Sequence, residues 1–97
     1  MRRVAEYRIT YWRQIPSMVT ARDGAATSKA ALPDRFQEAI DEAAMKQGMA
    51  GSDAYLEQWR HGDWLEQPGS PDEVVAAVAE RLDVEYGEAR LTDLLEA

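Results

Sequence analysis

Between Val4 and Trp12 the chain alternates, with Tyr7, Ile9 and Tyr11 on one side and Arg8, Thr10 and Trp12 on the other, in a run rich in β-branched and aromatic residues. A period of two in such residues predicts a strand over about 4–12. Pro16 interrupts the run, and Met18-Val19-Thr20-Ala21-Arg22 then reads as a second strand over about 16–22. It ends at Asp23-Gly24, a pair suited to the positive φ angles of a tight hairpin turn. A short third strand over about 25–30, through Thr27 to Ala30, completes an antiparallel meander.

From Leu32 onward the period lengthens. Pro33 and Asp34 suit the first turn of a helix over about 33–47, where Phe36, Ile40, Ala43, Ala44 and Gln47 fall on one stripe. Gly48 and Gly51 end it. Ser52-Asp53 predicts the start of a second helix over about 52–61, carrying Tyr55, Leu56 and Trp59, and Asp63 to Gly69 reads as a loop pinned by Trp64. Ser70-Pro71-Asp72-Glu73 is the clearest local signal in the chain: a capping Ser, Pro in the first helical position, and Glu three residues after the cap. The helix it opens, over about 70–83, buries Val74, Val75, Val78, Ala79 and Leu82. It leaves Asp72, Glu73, Glu80, Arg81 and Asp83 in water. Residues 87–97 read either as one or two last helical turns or as a loosely ordered tail.

The expected fold class is therefore α+β: a small antiparallel sheet of two or three strands, packed on one face by three helices. The 97 residues suffice for a single domain and one core, spanning 1–97. With 45% apolar and 30% charged residues the composition is that of a folded chain. There is no cysteine, which removes disulfides, thiolate nucleophiles and cysteine zinc sites. No apolar run is long enough for a membrane span or a secretory leader, so the expected location is cytoplasmic, with no membrane partner.

The net charge of −7 argues against general affinity for nucleic acid. The charge is unevenly spread, however. Residues 1–22 hold Arg2, Arg3, Arg8, Arg13 and Arg22 against Glu6 alone, for +4, while residues 23–97 hold six basic and seventeen acidic residues, for −11.

A longer pattern overlies these signals: Tyr11-Trp12-Arg13 followed by Ile15-Pro16, then Leu32-Pro33 with Arg35-Phe36, Ala39-Ile40-Asp41 with Ala43-Ala44-Met45, and Asp53-Ala54-Tyr55-Leu56 followed by Trp59. In this string, over roughly residues 6–60, the chain resembles the small bacterial virulence factor domain, a domain also found at one end of virulence factor C-type proteins. The resemblance carries over no catalytic residue. Related domains are appended to larger scaffold proteins with iron–sulfur-scaffold-like and helical-repeat regions, which implies an interaction module. Free-standing relatives are associated with corrinoid and folate methyl transfer, including split cobalamin-dependent methionine synthases. The resemblance thus implies an accessory role beside a methyltransferase-system component.

The residues themselves offer little for catalysis or metal binding. His61 is the sole histidine, and Glu57 four residues before it makes an ordinary helical side-chain pair the simpler account. Asp41-Glu42 and Asp72-Glu73 are neighbours on helices, whose side chains diverge and do not converge on a substrate; the second pair also complements a helix dipole. No phosphate loop, serine elbow or His-Glu-x-x-His motif occurs. No catalytic residue, metal ligand or cofactor is expected, and the chain reads as a non-enzyme.

The sheet is more informative. If Tyr7, Ile9, Tyr11, Val19 and Ala21 face the helices, the opposite side presents Arg8, Thr10, Trp12, Met18, Thr20 and Arg22, with Arg13 at its edge. Three short helices cover one side of a sheet more readily than two, and Trp, Met and Arg are types enriched in protein interfaces. These seven residues form the expected interaction face for a protein partner. The competing account has Trp12 and Arg13 folding back to pack at the sheet edge while the arginines balance acids on the helices. Two other functions fit the same residues: a small-molecule pocket between sheet and helices using Arg35, Tyr55 and Trp59, and weak nucleic-acid binding through Arg8, Trp12 and Arg22.

Overall fold

The computed structural model describes residues 3–49, 51 and 53–95. The expected N-cap, Ser52, and the first two residues lie outside them. The elements run β1 (Val4–Trp12), β2 (Ile15–Asp23), β3 (Ala26–Ala31), α1 (Asp34–Lys46), α2 (Asp53–Glu57), β4 (Trp59–His61), β5 (Leu65–Pro68), α3 (Pro71–Glu85) and α4 (Glu88–Leu95). The α+β class and the antiparallel meander are as expected, but among the described residues five strands and four helices replace the expected two or three strands and three helices.

The sheet order is β3-β2-β1-β4, with β5 joining β1 on the same edge as β4. The extra strands come from two revisions. The predicted helix over 52–61 stops at Glu57, and its end turns into β4, pairing Trp59, Arg60 and His61 with Trp12, Tyr11 and Thr10. The predicted loop over 63–69 contains β5, whose Leu65–Pro68 pair with Tyr7–Val4. Leu56 is 65% exposed because the helix ends before it completes a buried stripe.

Turn chemistry follows the sequence. β1 and β2 are joined through Arg13, whose φ of 54° is left-handed, and β2 and β3 through Gly24 at 60°. The β1–β2 register shifts between Thr10 and Tyr11, leaving Ser17 unpaired between Met18 and Pro16. Pro16 lacks an N–H and is tolerated here because β3 pairs only with Met18–Asp23. The freed Ser17 carbonyl accepts the Leu32 N–H at 3.2 Å, which tethers the approach to α1.

α3 begins as its sequence requires. Ser70 Oγ accepts the Glu73 N–H at 3.3 Å and Glu73 Oε1 accepts the Ser70 N–H at 3.1 Å, with Pro71 next to the cap. The reciprocal bonds hold the Glu73 carboxyl below its ordinary pKa of 4.5, through the Ser70 backbone first and its hydroxyl second. α3 packs along β1, β2 and β3, and Arg81 donates to the Tyr7 hydroxyl at 3.1 Å. At its other end α3 is clamped to α1: Arg35 Nη2 donates to the Asp83 carbonyl at 2.7 Å, the Asp83 carboxylate at 2.5 Å and the Tyr86 carbonyl at 3.2 Å. Arg35 thereby satisfies carbonyls that a helix end leaves without intrahelical donors.

One core joins the layers. Ala5, Tyr7, Val19 and Ala21 of the sheet meet Val74, Val75, Val78 and Leu82 of α3 and Phe36, Ile40 and Ala44 of α1 in a single cluster. Gln47, expected on the α1 stripe, is exposed and caps the helix instead. The C-terminal segment forms α4, which packs on α1 and buries Leu91. None of the described helices is long and apolar enough to cross a membrane.

Candidate docking face

Directly paired residues on adjacent strands point to the same side of a sheet. The register sets Arg8 opposite Thr20, Thr10 opposite Met18, and Glu6 opposite Arg22; it extends the row to Lys29 beyond Thr20 and to His61 beyond Thr10. By alternation this row lies on the side away from Tyr7, Val19 and Ala21, which are buried beneath α3. Arg8, Thr10, Met18 and Thr20 are half-buried among their neighbours, while Arg22, Lys29 and His61 are exposed.

Trp64 occupies the middle of this side. It stands between β4 and β5, where the edge strand leaves the ladder. Its indole ring lies 3.7 Å from the Arg22 guanidinium carbon and 4.6 Å from that of Arg8. Both are cation–π contacts, with a guanidinium over the face of the ring. Arg22 also donates to Glu6 at 3.2 Å, and both partners of that pair are nearly half exposed. The Nε of Arg8 is buried without a hydrogen-bond partner among the described residues. Thr10 Oγ1 and His61 Nδ1 are 3.0 Å apart.

The predicted face loses one member. Trp12 is fully buried: its Nε1 donates to the Tyr55 carbonyl at 2.9 Å, and its ring packs on Tyr55 with centroids 5.6 Å apart. The first turn of the second helical segment covers the hairpin tip, so this end of the sheet side is closed and becomes core. Arg13 sits in the turn itself, exposed, with its N–H bonded to the Gln58 carbonyl. Arg3 pairs with Asp23 of β2 and Arg22 with Glu6 of β1, and no ion pair joins Arg8, Arg13 or Arg22 to a helix among the described residues. Trp64, Lys29 and His61 were not part of the predicted face. The sequence reading of Trp64 is that of a residue pinning the loop from Asp63 to Gly69.

The alternative pocket is not assembled as drawn. Arg35 clamps the end of α3 and borders a shallow groove with Glu38, Glu42 and Leu91. Tyr55 and Trp59 stack edge to face, 6.1 Å apart, beside Trp12. Nor do Glu57 and His61 share a helix face, since His61 belongs to β4. Asp41 accepts a bond from Gln37 on the exposed side of α1, so its local contact is within its own helix.

Fold and face together define a small α+β domain with a one-sided sheet: one side buried under α3, the other carrying an arginine-bound tryptophan. The family model described as "Virulence factor" matches residues 10–95, and the chain belongs to that family. The match runs through α3 and α4, well past the residue 60 at which the recognisable motif string ends. No curated protein and no solved structure matches the chain.

Proposed function

We propose that this domain is a non-catalytic docking module that presents the Trp64-centred side of its sheet to an acidic patch on a protein partner. The observation that carries the reading is the Trp64 indole seated on Arg8 and Arg22, with Thr10, Met18, Thr20 and Lys29 around it. Trp, Met and Arg are the residue types on which binding energy concentrates at interfaces. Arg22 holds Glu6 through an exposed pair of a kind worth about 0–1 kcal/mol, so a partner carboxylate can replace Glu6 at little cost. The cations are concentrated on this sheet in a chain of net charge −7, which favours one orientation of approach. The partner class is the one the family resemblance implies, a protein component of corrinoid- or folate-linked methyl transfer, for which the domain would act as an accessory.

The test is affinity purification of the tagged domain beside an Arg8→Glu/Arg22→Glu/Trp64→Ala variant of matched melting temperature, followed by binding measurements with the purified methyl-transfer component it enriches. The expected result is a partner held by the parent, lost by the variant and weakened by salt. Equal retention by both would remove the face from consideration, and capture of nucleic acid in its place would favour phosphate contacts by the same arginines.

A further inference from the structure

The interruption of the edge strand that sends Trp64 to one side of the sheet opens a groove on the other. β4 pairs with residues 10–12 of β1 and β5 with residues 4–7, and between them Gly62 keeps only its N–H bond to the Ile9 carbonyl, at 2.8 Å. Next to the gap is a small, mostly apolar dip of about 180 Å³ lined by Tyr7, Ile9 and Leu65. It shares Tyr11, Gly62 and Asp63 with a larger open groove of about 560 Å³ that reaches Arg60, Tyr86 and Arg90.

Each arginine of the larger groove lies over a tyrosine ring. The Arg60 guanidinium carbon is 4.4 Å from the centre of the Tyr11 ring, and that of Arg90 is 4.3 Å from Tyr86. Arg60 uses its Nε on the Arg13 carbonyl at 2.9 Å, and Arg90 uses Nη1 on Glu85 at 3.3 Å. The remaining guanidinium N–H groups have no other partner among the described residues. Burial, followed by the charges of Tyr86 and Glu85, raises the Tyr11 pKa above 10.0 against the opposing pull of Arg60, so its hydroxyl keeps its proton at neutral pH and remains a donor.

We infer that this groove binds an amphipathic organic anion, a ring or short alkyl chain with a terminal carboxylate or phosphate, its head between Arg60 and Arg90 and its body in the Ile9–Leu65 dip. Stacked guanidiniums are pre-oriented donors that lose little freedom on binding planar or tetrahedral oxyanions. Asp63 in the lining and Glu85 on Arg90 offset the two cations, so a bare anion gains little from the local field and the apolar body supplies the selectivity. A Cβ at Gly62 would stand in ordinary van der Waals contact with the groove wall, 3.4 Å from the Ile9 carbonyl oxygen and 3.5 Å from Tyr11 Cε2.

The experiment is an amide-resolved NMR titration of the intact chain with phenyl phosphate, 3-phenylpropionate, benzyl alcohol and inorganic phosphate. The two amphipathic anions should give saturable shifts at residues 60–63 and 86–90 with dissociation constants below about 1 mM. Whichever of them binds tighter identifies the head group. Benzyl alcohol and inorganic phosphate should bind at least about tenfold more weakly, a difference of about 1.4 kcal/mol. Arg60→Gln should weaken binding several-fold while preserving the amide spectrum elsewhere, and Arg8→Gln on the opposite side should leave it unchanged. Inorganic phosphate binding as tightly as phenyl phosphate, shifts centred on Trp64, or a folded Arg60→Gln that binds like the parent would each overturn the assignment.

Discussion

Two tryptophans on the same side of the sheet should differ sharply in what they hold up. Trp12 is fully buried, stacked on Tyr55 and bonded to its carbonyl, whereas Trp64 lies over two arginines in contact with water. Trp12→Phe keeps much of the ring packing and removes one of two N–H donors to the Tyr55 carbonyl, the Gln58 N–H remaining at 3.3 Å, at a cost of about 0.5–1.5 kcal/mol. Trp12→Ala adds a cavity and costs about 3–5 kcal/mol, a large share of the roughly 5–15 kcal/mol that stabilises a domain of this size. Trp64→Ala removes exposed cation–π contacts worth about 0.5–1 kcal/mol each at most. With a urea m-value of about 1 kcal/mol/M for a small domain, Trp12→Phe lowers the unfolding midpoint by roughly 0.5–1.5 M and Trp12→Ala by roughly 3–5 M. Trp64→Ala, losing two such contacts, should lower it by no more than about 2 M, less than Trp12→Ala does. Unfolding is best followed by far-ultraviolet circular dichroism, because each variant removes a fluorophore. A Trp12→Ala midpoint shift no larger than that of Trp64→Ala would refute the assignment of Trp12 to the core.

Two further outcomes follow from the caps and the groove. Ser70→Ala removes the acceptor of the capping box and should destabilise the domain by about 0.5–2 kcal/mol in the same urea assay. Because the folded state depresses the Glu73 pKa, the associated stability is present above 4.5 and is lost as pH falls through the folded value. The Ser70→Ala variant should therefore show a shallower loss of stability between pH 5 and lower pH than the parent. Tyr11 has the opposite sign: its raised pKa keeps the proton on in the folded state while the unfolded phenol ionises near 10.0, so stability falls as pH rises above that value. Tyr11→Phe should flatten this alkaline limb, as read by thermal melts across the range, and an unchanged limb would show that Tyr11 does not titrate anomalously.

What the sequence by itself determined is local. The period of two in Val4–Trp12, the Asp23-Gly24 turn, the α1 stripe of Phe36, Ile40, Ala43 and Ala44, and the Ser70–Glu73 capping box each act over a few residues, where backbone sterics and short-range hydrogen bonds decide the conformation. All of them appear in the fold. The edge strands β4 and β5 were not legible because runs of three and four residues are too short to show alternation, and they form only by pairing with β1, some fifty residues earlier in the chain. The same long-range pairing settled the functional surfaces. Alternation correctly put Arg8, Thr10, Met18, Thr20 and Arg22 on one side, yet it gave Trp12 the same exposure, since a period of two says which side a residue faces and nothing about what covers that side. Only the tertiary structure closed the hairpin tip over Trp12, brought Trp64 onto the arginines and opened the Arg60–Arg90 groove. Each of these depends on where a distant segment docks, and that is set by packing over the whole core and not by the residues at the site.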